Sequence, residues 1–226
     1  MINHLMYADD ICLICPSVKG LQKLIYICEH VGADIDMLFN VKKTMCMYFA
    51  CHRLRLLDVP QLRMYGSTLE YVSSVNYLGY FITPNLSDDQ AMQSQIRSLY
   101  ARANSLIRGF RHCSVEVKRI LFSSYCTSLY CAQLWSDYSM GVISKLRVAY
   151  NGALKLLLGV SRQSSTSLLF ANNRLDTFDA KLRKLSHSFV SRLLSSENSI
   201  IHTLAHSDCF YLSPFWRHYV NLVFLR

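Results

Sequence analysis

The sequence predicts an α+β fold in which strand-rich residues 1–86 precede a helical remainder. Short runs of β-branched, aromatic and other apolar residues, bounded by turn residues, fill the first part, as at residues 4–15 and 75–83. Thr83-Pro84 ends that part, and Ser87-x-x-Gln90 is a capping box that starts a helix. From there onwards apolar residues recur every three or four positions, which is the spacing of amphipathic helices.

Composition restricts the class of protein. A content of 51% hydrophobic and 17% charged residues in a chain of 226 excludes a disordered protein. Lysine and arginine outnumber the acidic residues 24 to 15, and the resulting net charge of +9 favours polyanionic partners. Nine cysteines without a repeating spacing argue against a secreted disulfide framework, so we expect an intracellular, reducing compartment, nucleus or cytoplasm. No run reaches the ~20 apolar residues of a membrane span, so no membrane partner is expected.

Two adjacent carboxylates, Asp9 and Asp10, stand between two short apolar runs at residues 4–15. This pattern predicts a β-hairpin with the pair at its tip, where the tight turn lets neighbouring side chains converge. Oxygen ligands of this kind hold hard divalent cations such as Mg²⁺. An Asp pair is also ordinary turn chemistry, and that alternative stays open on spacing alone.

The residues that flank the two carboxylates resemble a motif of a known protein family. Tyr7-Ala8-Asp9-Asp10 resembles the catalytic hairpin of reverse transcriptases, in the form found in non-LTR retrotransposons and group II intron maturases. The resemblance implies that Asp9 ligates both catalytic ions, Mg²⁺ or Mn²⁺, and that Asp10 supports the site. It also implies that Tyr7 lies beneath the primer terminus.

A second motif follows a predicted helix that Ser17 caps and Gly32 ends. Asn40-x-x-Lys43-Thr44, before a strand predicted at residues 44–50, resembles the next element of the reverse transcriptase palm. The resemblance implies that Lys43 approaches the leaving pyrophosphate, as a proton donor or as a charge. A solvated entry to a strand is the plainer reading of these lysines.

A third motif lies in the predicted hairpin at residues 75–83, after strands predicted at residues 62–65 and 69–72. Tyr77-Leu78-Gly79 resembles the primer grip of the same enzymes, which implies that Tyr77, Leu78 and Gly79 position the primer. Taken alone, the segment also fits a plain edge hairpin with glycine at its turn. Three motifs in the order of the family favour the resemblance.

The helical part predicts three helices before residue 160. The first carries Arg97, Arg102 and Arg108 opposite its apolar side; the second runs from the Ser114 cap to residue 132, and the third covers residues 142–158 before Gly159. Residues 150–155 resemble the thumb of non-LTR elements. The resemblance implies that Arg97, Arg102, Arg108 and Lys155 contact the phosphates of an RNA template and a DNA primer. Otherwise these residues form solvated helix faces.

A Ser-rich connector at residues 161–167 precedes a helix predicted from Thr177, either the last part of a thumb or a helical appendage. Two sets of residues are weak candidates for a zinc site. Cys12 and Cys15 have the spacing of zinc ligands but no second pair nearby, and the spacing of His202, His206 and Cys209 does not match a zinc knuckle. Four aromatic residues near the end predict an apolar docking face rather than a base-stacking platform: Tyr211, Phe215, Trp216 and Tyr219.

The resemblance therefore implies a partial reverse transcriptase palm at residues 1–86, a thumb at 87–160 and a helical extension at 161–226. Template, primer and deoxynucleotide triphosphates are the implied partners of the complete enzyme. In the family, the fingers and a further metal-binding Asp precede the hairpin, and only residues 1–3 do so here. We therefore expect a polymerase fragment that has no activity by itself. The alternative is a catalytically inactive remnant of a transposon that binds nucleic acid. The hairpin edge should associate with an upstream fragment or a second copy.

Overall fold

The structure, a computed structural model, describes residues 3–50 and 59–225. The described residues form two compact units. Unit 1 comprises the residues up to Tyr77 together with Thr83–Asn85, and unit 2 comprises Leu78–Ile82 and the chain from Leu86 onwards. The α+β class is confirmed: unit 1 carries short strands and one helix, and unit 2 is mainly helical.

The strands are short and pair two by two. Two of them, β1 (His4–Tyr7) and β2 (Asp10–Leu13), form an antiparallel hairpin. Three further pairs follow, one parallel between β3 and β6, one antiparallel between β4 and β5, and the hairpin of β7 and β8. Their bounds are β3 Met45–Cys46, β4 Arg63–Met64, β5 Ser67–Thr68, β6 Glu70–Tyr71, β7 Val75–Tyr77 and β8 Tyr80–Ile82. The strand predicted at residues 44–50 is therefore too long, because only Met45 and Cys46 find a partner.

Helix α1 (Val18–Asp34) begins where the sequence predicts, with the Ser17 hydroxyl accepting a hydrogen bond from the Gly20 amide. The prediction that Gly32 ends it is wrong. Gly32 lies inside the helix and is buried because the returning chain passes against it: a Cβ there would meet the Met37 carbonyl oxygen at 2.7 Å. This glycine permits a close approach of two backbone segments rather than a helix stop.

The core of unit 1 forms where α1 meets the small strands. Its buried members are Ile25, Cys46, Leu62, Met64 and Leu69. Polar side chains of α1 complete the contact, since Gln22 exchanges two hydrogen bonds with the backbone of Arg63, at 2.7 and 2.8 Å. Side-chain amides thus replace the strand partners that β4 lacks on that side.

Unit 2 is built around α2 (Asp89–Gly109) and α4 (Met140–Leu158), which lie against each other. Tyr150 of α4 is fully buried, and its ring contacts those of Phe122, Phe170 and Phe178 at centroid distances of 5.4 to 5.7 Å. Helices α5 to α9 complete the unit: α5 Thr166–Asn172, α6 Phe178–Leu194, α7 Ser199–Ala205, α8 Asp208–Tyr211 and α9 Pro214–Phe224. α3 is given below.

Several helix ends confirm the predictions. Ser114 and Thr177 accept hydrogen bonds from the amides three residues on, and Gly159 ends α4 in the left-handed conformation at φ +70°. In contrast, the capping box at Ser87 is displaced by one residue. α2 begins after Asp88, whose carboxylate makes no cap and instead binds the chain before α4.

The prediction of one helix from Ser114 to residue 132 is wrong. Helix α3 covers only Val115–Leu121 and continues as a single π-helical turn, Phe122–Cys126. That turn buries Phe122 and Cys126 completely, and the chain then leaves the helix. The segment predicted as one long helix therefore contains a break where Phe122 and Cys126 enter the core.

The end of the chain folds back on itself through aromatic contacts. The Phe210 ring lies 5.3 Å from Trp216 and 5.9 Å from Phe215, and Trp216 lies 5.2 Å from Tyr219. Much of the predicted docking face is therefore used within the chain. None of the helices in the described ranges is both long and apolar enough to cross a membrane. The eight cysteines that the structure describes are free thiols.

Candidate functional site

The predicted carboxylate hairpin is formed. Tyr7 pairs with Asp10 in the strand register, so Ala8 and Asp9 make a two-residue turn, with Ala8 in the left-handed region at φ +52°. Asp9 stands in the turn and Asp10 at the first position of β2, and both are exposed. Two neighbouring carboxylates and an exposed tyrosine thus share the tip of one hairpin.

Tyr77 lies close to this hairpin. Partial burial raises the pKa of the Tyr77 hydroxyl, and the Cys12 thiol, when it is ionised, and the Asp10 carboxylate raise that pKa further. Such an effect requires both groups to be near the phenol. Tyr77, from the third motif, and Asp10, from the first, therefore lie within electrostatic range of each other in unit 1.

The donor set of the tip can be compared with what a hard cation needs. Asp9 and Asp10 offer carboxylate oxygens in contact with solvent, which fits Mg²⁺ or Mn²⁺, since such ions are commonly held by one or two carboxylates plus waters and phosphates. Within residues 3–50 and 59–225, no three His, Cys, Asp or Glu side chains cluster in a way that could hold a metal. The two aspartates would therefore share an ion with ligands from elsewhere.

Lys43 lies on a turn that its own motif builds. The Asn40 side-chain oxygen accepts the Lys42 amide at 3.0 Å, and the Asn40 carbonyl accepts the amides of Lys43 and Thr44, both at 3.0 Å. The Thr44 hydroxyl donates to the same carbonyl at 3.0 Å. These bonds explain the first and last residues of Asn-x-x-Lys-Thr, and the exposed Lys43 is presented by the turn between them.

The third motif forms a tight turn between β7 and β8. Leu78 and Gly79 occupy its two central positions with φ of +50° and +80°, as in a mirror-image hairpin turn. The boundary between the two compact units runs within this hairpin, and Leu78 and Gly79 belong to unit 2. Tyr130, which the sequence placed on a helix, lies against this turn.

The four predicted phosphate contacts fall into two kinds. Arg97 and Arg108 are exposed on α2; they are eleven residues apart, so they share one face about 16 Å apart along the axis. Arg102 instead donates to the Ser128 hydroxyl at 2.7 Å, and Lys155 donates to the carbonyls of Arg162 and Ser164 at 2.8 and 2.7 Å. Arg102 and Lys155 therefore also hold neighbouring segments of unit 2 in place.

The zinc candidates do not assemble into a cluster of three ligands in the part of the chain that the structure describes. His202 and His206 stack with their ring centroids 4.1 Å apart, and His206 Nδ1 is 2.9 Å from the His202 carbonyl oxygen. One nitrogen of His206 is therefore bonded to backbone. Burial raises the pKa of the Cys12 thiol, which works against the thiolate that zinc requires.

Sequence reasoning missed three residues of unit 2 that shape these surfaces: Asp88, Tyr130 and Arg147. Arg147 of α4 pairs with Asp179 at 2.8 Å and lies over the Phe178 ring. Each of the three acts through a partner more than thirty residues away, apart from the contact of Asp88 with Tyr80. No local signal in the sequence could have identified them.

Comparison of the chain with protein-family models, with curated proteins and with solved structures found no match. Function is therefore inferred from the three motifs and from the local structures that carry them.

Proposed function

We propose that this chain is the C-terminal part of a reverse transcriptase of a non-LTR retrotransposon, an RNA-directed DNA polymerase. The supporting observation is that three short motifs occur in the order of that family and that each centres on a turn. Asp9 lies in the first turn, Lys43 in the second, and Leu78 with Gly79 forms the third. Turns present polar side chains and backbone to a ligand more readily than strand interiors do.

Each motif has a role in nucleotidyl transfer. Asp9 and Asp10 would hold the divalent ions, and Tyr77 lies within electrostatic range of Asp10. When bound, two such ions stabilise the attacking and leaving oxygens of the phosphoryl group. Lys43 neutralises charge on the departing pyrophosphate or donates a proton to it. The turn of Leu78 and Gly79 positions the primer end, and Tyr7 lies beneath the primer terminus.

The basic side of unit 2 supplies binding to the template and primer. Arg97 and Arg108 are the first contacts with phosphate, because their guanidinium groups are exposed on one face of α2. Arg102 and Lys155 contribute mainly by fixing the backbone around that surface, since their donors bond within the chain. Such binding is electrostatic and carries little preference for sequence.

A second function has its own support. In the described residues, Asp9 and Asp10 lack a third metal-binding side chain, and two-metal catalysis depends on shared ligands. An inactive protein that binds nucleic acid through unit 2 would show the same features. The two functions differ in whether a further carboxylate joins Asp9.

A fusion experiment separates the two functions. The fingers and first palm half of a non-LTR reverse transcriptase are joined upstream of Met1, and primer extension is measured on an RNA template with deoxynucleotides and Mg²⁺. We expect extension that Asp9→Asn abolishes, because the amide removes the charge that gathers the ions. Asp34→Asn, at the exposed end of α1, is the matched control and should leave extension unchanged.

The outcomes are distinct. Binding of the hybrid without any extension would favour the inactive remnant. Extension that survives Asp9→Asn would contradict the assignment of the catalytic hairpin.

A further inference from the structure

The turn between β7 and β8 is strained at one position. Gly79 adopts φ +80°, which glycine tolerates, but Leu78 also lies in the left-handed region at φ +50°. Side chains with a Cβ rarely adopt that conformation, and such residues persist only where surrounding contacts hold them. Leu78 is moreover 38% exposed, so burial of its side chain does not account for the conformation.

Tyr130 supplies the holding contacts. Its hydroxyl donates to the Leu78 carbonyl at 2.6 Å, and its ring lies so close to Gly79 that a Cβ added there would sit 3.3 Å from Cε1. The backbone amide of Tyr130 donates to the side-chain oxygen of Gln95 on α2, at 3.3 Å. One residue thus connects both central residues of the turn to the longest helix of unit 2.

We propose that Tyr130 is a positioning residue for the primer: it holds Leu78 and Gly79 in the left-handed turn and fixes that turn to α2. This inference rests on the proposed function, in which the turn contacts the primer end. A turn held at a carbonyl by a hydroxyl and at a glycine by a ring presents one backbone conformation to the primer terminus. A free turn would lose entropy each time the primer binds.

The two contacts of Tyr130 can be separated by substitution. Tyr130→Phe removes only the hydroxyl and keeps the ring against Gly79, so the fold is retained. Tyr125→Phe is the matched control, because Tyr125 lies in the same stretch and is similarly exposed, 56% against 52% for Tyr130. Far-UV circular dichroism checks that both variants are folded.

The experiment compares two ligands of equal length, an RNA–DNA hybrid with a recessed DNA 3′ end and a blunt hybrid, by fluorescence anisotropy with the full chain. We expect the wild type to prefer the recessed end. Tyr130→Phe should reduce that preference roughly fivefold, the size expected from losing the hydrogen bond to the Leu78 carbonyl, while the affinity for the blunt hybrid stays the same. Tyr125→Phe should leave the preference unchanged. A role in folding alone would weaken binding of both ligands equally.

Amide exchange at Gly79 and Tyr80 gives an independent measurement, and both amides should exchange faster in Tyr130→Phe. Unchanged exchange would overturn the holding role, and a recessed-end preference that survives in Tyr130→Phe would overturn the positioning role. Either result leaves the proposed function intact. A wild-type chain that binds the two hybrids equally would instead overturn the primer-binding function, and the role of Tyr130 with it.

Discussion

The Tyr80 hydroxyl donates a hydrogen bond to the buried carboxylate of Asp88. The same carboxylate accepts the amides of Ser136 and Asp137, at 2.7 and 2.9 Å. One side chain therefore joins strand β8, the start of α2 and the segment that leads into α4. Burial and the contact with Asp88 together raise the pKa of the Tyr80 hydroxyl, so the phenol stays protonated and remains a donor.

Replacing Asp88 should destabilise unit 2 strongly. Asp88→Ala leaves one hydroxyl and two amides without their acceptor, and we expect a loss of roughly 3 kcal/mol in the free energy of unfolding. Urea unfolding followed by far-UV circular dichroism measures it. Asp89→Ala is the control; Asp89 accepts a single amide, from Ser139 at 2.7 Å, and should cost about 1 kcal/mol. Equal costs for both variants would contradict the network.

The carboxylate hairpin should bind a divalent ion weakly even without nucleic acid. Mn²⁺ should broaden the nuclear magnetic resonance signals of Ala8, Asp9 and Asp10, because the ion is paramagnetic and its ligands are carboxylates. Asp9→Asn should raise the Mn²⁺ concentration needed by about tenfold, equivalent to ~1.4 kcal/mol. With Asp34→Asn the signals should broaden as in the wild type. If the signals of Asp9→Asn broaden at the same Mn²⁺ concentration as those of the wild type, this hairpin is not the metal site.

Binding of nucleic acid should depend on salt through Arg97 and Arg108. Each neutralised phosphate contributes roughly 0.9 to the slope of log affinity against log salt on B-form DNA. Arg97→Ala with Arg108→Ala should therefore flatten the slope by nearly two. Arg102→Ala and Lys155→Ala should lower the stability of unit 2 more than they change the slope, because both side chains bond within the chain.

The comparison for the arginine pair lies on α6. Lys181→Ala with Lys184→Ala removes the same charge from residues outside the segment that resembles a thumb. We expect a smaller change of slope than for the arginines. If the two pairs behave alike, α2 carries a solvated basic face and the binding surface lies elsewhere.

The exposed edge of β1 should promote self-association. In the described residues β1 pairs only with β2, and Leu5, Met6 and Tyr7 are all more than 40% exposed. An unpaired apolar edge recruits other strands, and a lysine placed on it prevents this. Met6→Lys should therefore shift sedimentation toward the monomer. Met140→Lys in unit 2 is matched in exposure, 64% against 63%, and should not.

The buried Cys126 thiol should make stability depend on alkaline pH. Burial raises the pKa of this thiol from 9.0 to about 11, although the Arg102 guanidinium lowers it. Because the pKa is higher in the folded than in the unfolded chain, the thiol's contribution is complete below pH 9 and is lost as the pH rises toward about 11. Cys126→Ala should flatten this decline.

Urea unfolding between pH 8 and pH 11 measures the effect. The cavity left by Cys126→Ala lowers stability by an amount that does not vary with pH, so only the slope reports the thiol. Cys209→Ala, at an exposed cysteine, should keep the wild-type slope. A wild-type slope in Cys126→Ala as well would assign the alkaline decline to other groups.

Local signals in the sequence predicted local structure well. Ser17, Ser114, Thr177 and Gly159 mark helix ends because their effect depends on hydrogen bonds to residues within one turn. The Asp9 turn and the turn at Leu78 and Gly79 were also predicted, since two-residue hairpin loops have short, recognisable surroundings.

Contacts between distant segments were not predictable. Gly32 has the signature of a helix stop, but the chain at Met37 returns against it and the helix continues. The sequence predicts one helix from Ser114 to residue 132, yet the core takes Phe122 and Cys126 from a π-helical turn. In the sequence Arg102 and Lys155 have the pattern of surface charges, but in the structure they donate hydrogen bonds to Ser128 and Ser164. In each case a contact with a distant segment determines the local structure, and a local sequence pattern contains only one of the two partners.

Among the described residues the two cores differ greatly in size, with five buried residues in the cluster of unit 1 and more than twenty in that of unit 2. Burial of apolar surface is the main source of stability, so on heating unit 1 should melt first. Ellipticity reports chiefly the helices of unit 2, and a warmed sample would keep most of its signal after the carboxylate hairpin has lost its shape. Any ligand that binds only folded unit 1 raises its melting temperature by mass action. Loss of the folded hairpin and loss of helix would then be two separate events on heating, and a ligand bound to unit 1 would bring them closer together.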